Sequence, residues 1–181
     1  MVAYTILTAL LYSALLLPFQ GFSLFGHADF FRIGIAIPVA FSFLFGPAAA
    51  WGAAFGNLIY DASTTGLAPV SLFGFVANFL VGYLPYKLWE TFSSEKPDLK
   101  SAKKLLLFAA VVFAACLMCG FVVAWGLDWL YEVPFLPTAF VIGLTNTFWA
   151  ITIGAMLLVL CFGYFSRHKL RYTDVLTEKS K

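Results

Sequence analysis

Four hydrogen-bonding side chains stand inside otherwise apolar runs: Asn57 and Asp61 in FLFGPAAAWGAAFGNLIYD, Asn78 in VSLFGFVANFLVGYLPYKL and Asn146 in VIGLTNTFWA. A carboxamide donates and accepts, whereas a carboxylate only accepts, so this set suits the holding of a polar molecule. It does not suit cleaving one, because nothing pairs a nucleophile with a base. The chain has no GxxxxGK[ST] phosphate loop, no HExxH and no GxSxG. No carboxylate or histidine stands in the middle of an apolar run, where a proton or sodium relay would be expected. Cys116 and Cys119 form CLMC, but no second Cys/His pair accompanies them. They and Cys161 read as small apolar packing residues, with no metal site, disulfide framework or cofactor implied. The reading is a binding protein, not an enzyme.

The elements that position these groups follow from composition. The chain of 181 residues is 62% hydrophobic and 11% charged, with mean hydropathy +0.91. A soluble domain is about half apolar, so the solvent here is a bilayer. The predicted fold is all-α, a compact bundle of six transmembrane helices in one domain, residues 1–166, with a frayed polar cytoplasmic tail at 167–181. The spans run near residues 2–19, 31–45, from Gly46-Pro47 to Asp61, and at 69–90, 103–127 and 137–165. The opening MVAYTILTALLYSALLLPFQ lacks a basic front and a small-x-small cleavage site, so it reads as the first span rather than a leader. Lys87, Lys96, Lys100, Lys103 and Lys104 fall in one connection, and Arg167, Lys169, Arg171, Lys179 and Lys181 in the tail. Six spans put all ten on one side and both termini in the cytoplasm, with Arg32 opposite. The net charge of +2 does not suggest nucleic acid as a partner.

With that orientation the polar groups gather toward the outside. Asn57 lies about one turn below the outer surface, and Asn78 and Asn146 about two to three turns down. Tyr12, Trp125 and Trp149 share that half, and Arg32 stands at an outer helix end, within reach of Asp29 or Asp61. An outward-opening pocket would need this distribution, although a single Asn also serves as glue between two helices. The connections at 20–31 (with His27 and Asp29), 62–68 and 126–136 (with Trp129, Tyr131 and Glu132) read as lids, their aromatics equally as an interfacial belt. Asp29, Asp61, Asp128 and Glu132 outnumber Arg32 at that face, which favours a neutral or cationic, flat ligand over a multiply anionic one. Small residues recur at four-residue spacing, as in Thr5, Ala9 and Ser13, in Ala48, Gly52 and Gly56, and in Gly74, Asn78 and Gly82. Such stripes let helices approach closely.

LFGPAAAWGAAFGNLIYD, a short Gly-containing loop and VSLFGFVANFLVGYLPYKL resemble the substrate-binding S components of energy-coupling factor (ECF) vitamin transporters. The similarity is tight over residues 43–86 and architectural elsewhere. It implies high-affinity capture of a vitamin or related micronutrient from outside. It also implies a T component and two cytoplasmic ATPases as partners, in the inner membrane of a prokaryotic cell. The first helix of that family offers an AxxxA docking surface. The nearest match here is Thr5, Ala9 and Ser13, which are small but not Ala-xxx-Ala. The outer charge suits riboflavin-like or thiamine-like compounds better than folate, with biotin and queuosine precursors left open. A membrane sensor or scaffold without a transported ligand is the alternative reading.

Overall fold

The segment AIPVAFSFLF forms α2 (Ala36–Phe45), and all ten of its residues are buried. A helix apolar on every side offers no face to water. Here it offers none to lipid either, and it forms a post at the centre of the molecule. The computed structural model describes residues 1–21, 23–24, 28–29 and 32–179. The other helices are α1 (Val2–Leu16), α3 (Pro47–Thr64), α4 (Val70–Phe92), α5 (Ala102–Tyr131), α6 (Phe135–Trp149), α7 (Ala155–Arg167) and α8 (Tyr172–Lys179). A π-helical turn at Ala150–Gly154 joins α6 to α7 as one long rod. Thus α1 to α5 and the α6–α7 rod are the six helices of the bundle. Their packing order is α1 on α3, α3 on α4, α4 on α5 and α5 on α6, with α7 returning to α2. Ser23–Leu24 and Ala28–Asp29 pair as a minimal antiparallel hairpin in the first outer connection. Half of the expected lid over 20–31, including His27, lies outside the described residues, as does the side chain of Asp29.

Val2–Phe19, Ala102–Tyr131 and Phe135–Val175 are each long and apolar enough to cross a membrane. The helices α3 and α4 have 18 and 23 residues, but small and polar side chains dilute their apolar content. That dilution is what packs them. A Cβ on Gly52 would stand 2.7 Å from the Thr5 carbonyl oxygen, and one on Gly56 2.8 Å from that of Ala9. One on Gly82 would stand 2.6 Å from the Cα of Ala50. Lipid supplies no hydrophobic drive between helices, so such backbone-to-backbone approach must supply the contact energy. The turn between α2 and α3 is Gly46 at φ 52°, ψ −121°, followed by Pro47 in the first turn of α3, where its missing N–H costs nothing. Pro85 inside α4 leaves a break that α2 repairs, for the Tyr86 amide donates to Ser42 Oγ at 3.1 Å.

The outer connections are shorter than expected. In α3 the Ser63 and Thr64 hydroxyls donate to the carbonyls four residues back at 2.7 and 2.8 Å, and the helix runs on through the expected loop to Thr64. In α5 the helix continues to Tyr131. It stops where Glu132 turns left-handed at φ 56° and its amide reaches the Asp128 carbonyl at 3.0 Å. Trp129 and Tyr131 are therefore helical residues, not loop residues. Near a bilayer, backbone groups closed inside a helix are favoured over open loop.

The tail is not frayed at its start. Arg171 and Tyr172 are buried. The Tyr172 ring covers the bare Gly46 turn, where an added Cβ would meet it at 2.9 Å, and its hydroxyl donates to the Glu90 carboxylate. The Arg171 guanidinium lies 5.3 Å over the Phe162 ring and holds Asp174 through two bonds of 2.7 and 3.0 Å. Tyr4 stacks on Phe45 beside the same turn, with ring centroids 4.1 Å apart. Both ends of the described chain thus meet at the lysine-rich end.

Gly56→Val is expected to push α1 off α3 and lower stability by about 2 kcal/mol. Gly163→Val, where an added Cβ meets nothing within 4 Å, is expected to be neutral. Thermal unfolding in detergent compares the two; equal losses would remove the close-packing argument.

Candidate ligand site at the outer end

Three helices and the start of the 3-10 turn before α2 deliver polar groups to one place. Asn57 and Asp61 lie one turn apart on α3, Asn78 faces them from α4, Tyr12 comes from α1, and Arg32 precedes the turn at Ile33–Ile35. They form a closed ring of hydrogen bonds. The Tyr12 hydroxyl donates to Asn78 Oδ1 at 2.6 Å. Asn78 Nδ2 donates to Asn57 Oδ1 at 2.9 Å and to the Gly74 carbonyl at 2.8 Å. Arg32 Nη2 closes the ring, donating to Asn57 Oδ1 at 3.2 Å and to the Tyr12 hydroxyl oxygen at 3.1 Å. Asn57 Nδ2 extends it to Asp61 Oδ2 at 3.1 Å. Tyr12, Asn57 and Asn78 are buried, so each bond replaces water that burial removed.

Above the ring opens a cavity of about 650 Å³, lined by Arg32, Asn57, Asp61 and Asn78 together with Tyr60, Ser71, Val123 and Tyr131. It lies at the end of the bundle opposite the α4–α5 connection with its lysines. The volume is that of a small-molecule site, typically 300–1,000 Å³. Asp61 brings acceptors and Arg32 donors to one wall, with apolar α5 side chains facing them. Gly74 is what admits Asn57, for a Cβ there would stand 2.7 Å from Asn57 Nδ2.

The remaining sequence-predicted residues are placed elsewhere. Tyr12 sits beneath the cavity as part of its floor rather than on its lining. Asn146 is buried between α5 and α6, its Nδ2 3.7 Å from Cys119 Sγ, and does not line the cavity. Trp125 is exposed, edge-on to Phe73 at 5.7 Å. Trp149 is half-buried against Phe148 at 5.0 Å. Thr5, Ala9 and Ser13 are used inside the chain, where Ala9 and Ser13 are buried and the stripe meets α3. Tyr60 and Ser71 line the cavity without having been singled out for it, and Tyr131, expected in a lid or an interfacial belt, lines it from the end of α5. For Ser71 a signal existed: Ser71, Gly74 and Asn78 share one helical face at i, i+3 and i+7.

Tyr12→Phe deletes one hydroxyl from the ring and leaves Asn78 Oδ1 without that donor. It is expected to cost about 1 kcal/mol, read as a lowered unfolding midpoint in detergent; no loss would mean the ring carries no stability.

No curated protein and no solved structure matches the chain. A family model does, and its description is QueT transporter. The match runs over residues 2–161, from α1 through the first half of α7, and so takes in every helix that builds the cavity. The chain therefore belongs to the QueT transporter family, whose members are membrane transport proteins of the ECF S-component type and not enzymes.

Proposed function

We propose that the outer cavity binds a queuosine precursor, a flat 7-deazaguanine base, and that the chain is the capturing subunit of an ECF importer in a prokaryotic inner membrane. The observation that carries this reading is the pairing of Asp61 with the Arg32–Asn57 corner on one wall of the cavity. A guanine-type edge presents two adjacent donors and one acceptor. The Asp61 carboxylate takes the ring N–H and the exocyclic amine, and Arg32 or Asn57 Nδ2 donates to the carbonyl oxygen. The apolar α5 side, through Val123 and Leu127, covers the ring face. The described acids at this end, Asp61, Asp128 and Glu132, favour a ligand that is neutral or carries an amine.

Energy for transport comes, in this reading, from a T component and two ATPases, as the family type implies. The Thr5, Ala9 and Ser13 stripe is occupied by α3, so docking falls to the exposed face of α1, where Ile6 and Leu10 point outward.

Mass spectrometry of small molecules that co-purify in mild detergent, followed by titration with a 7-deazaguanine precursor, tests the reading. Asp61→Asn and Asn57→Leu are expected to weaken affinity by about tenfold or more, the scale of a lost hydrogen bond to a charged group. Asn146→Leu is expected to leave affinity within about twofold. Unchanged affinity in Asp61→Asn would overturn the edge assignment, and a flavin or thiamine retained instead would replace the ligand class.

A further inference from the structure

At the inner end a groove of about 550 Å³ lies between the α4–α5 connection and the last turns of α7. Its two halves differ in chemistry. Toward the bundle it is apolar, with Val159 and Phe162, and Gly163 leaves it open because an added Cβ there meets nothing within 4 Å. Toward the cytoplasm it is polar, with Lys100, Ser166 and Arg167. Among the described residues neither Lys100 nor Arg167 takes part in an ion pair. The acid on the rim, Asp98, is neutralised by Lys104 at 2.9 Å, which also reaches Glu95 at 3.1 Å. With Lys104 shared between Asp98 and Glu95, Lys100 and Arg167 leave the rim with a net positive charge.

We propose that this groove holds one anionic phospholipid of the inner leaflet, its phosphate between Lys100 and Arg167 and an acyl chain along Val159 and Gly163. Two observations select a lipid over a soluble anion, and a third fixes the position of Lys100. The apolar half continues onto the flank of α7, where Val159 and Leu160 are exposed. The charged half belongs to the lysine-rich α4–α5 connection, whose charge the sequence assigns to the cytoplasmic side, where anionic headgroups attract basic side chains. Leu99 is held at φ 54°, a conformation unfavourable for a branched side chain. Its side chain packs on the core, and the next residue, Lys100, stands exposed at the groove. The wall itself is braced, since Arg171 covers the Phe162 ring from the tail. A lipid there bridges the α4–α5 connection to the end of α7.

The test is native mass spectrometry of the full chain released from bilayers of mixed phosphatidylglycerol and phosphatidylethanolamine. The wild type is expected to retain a single phosphatidylglycerol in preference. The double variant Lys100→Gln, Arg167→Gln is expected to lose about thirtyfold in that preference, from about 1 kcal/mol per basic group. Gly163→Trp keeps both charges, fills the apolar half and is expected to expel the lipid. Lys103→Gln, exposed but outside the groove, is expected to change nothing. Equal retention of the two lipids by the wild type overturns the proposal. So does unchanged retention in Gly163→Trp, or full displacement by millimolar soluble glycerol phosphate, which would mark a plain anion site.

Discussion

A polar group inside a membrane protein has no water to fall back on, and the Tyr12–Asn78–Asn57–Arg32 ring is how this chain meets that constraint. Each member is supplied by a different segment of chain: α1, α4, α3 and the turn before α2. The ring therefore does two things at once. It satisfies three buried side chains and the half-buried Arg32, and it locks the outer ends of three helices in one register. Leaving one partner out costs more than the bond is worth, because the orphaned group stays buried. The cavity above inherits its shape from this lock. Its floor is rigid, and the side chains on its wall are already oriented by one another before any ligand arrives.

The ring exists only because the helices come close enough. Gly52 and Gly56 bring α3 onto the backbone of α1, Gly82 brings α4 onto α3, and Gly74 clears the space that Asn57 occupies. In lipid, small residues of this kind replace the hydrophobic effect as the source of association. The same device serves packing and chemistry: α3 and α4 are the less apolar helices because their inner faces are spent on close approach and on the polar wall. The all-buried α2 makes up the difference as a purely apolar centre.

The two ends of the bundle are finished in opposite ways. The outer end is open, acidic and hydrogen-bonded. The inner end is basic, with Tyr172 filling the gap that Gly46 leaves and Arg171 closing over Phe162. The QueT transporter family match covers the segment that builds the outer end.

Much of this was legible from residues alone. Six helices and their order follow from apolar run lengths and their breakers, because bilayer thickness acts on the chain one segment at a time. The convergence of Asn57, Asp61 and Asn78 was legible too, since helical spacing and depth place them on facing turns. The sequence could not rank the third carboxamide. Asn146 shares their depth but points between α5 and α6, a choice of rotation about the helix axis that depends on which neighbour is present. Nor could it show that Thr5, Ala9 and Ser13 are covered by α3, that α3 and α5 outrun their expected ends, or that Tyr172 caps Gly46. Depth and period belong to a single helix and can be counted along the chain. Which face meets which neighbour is a property of helix pairs far apart in sequence, and only the packed bundle decides it.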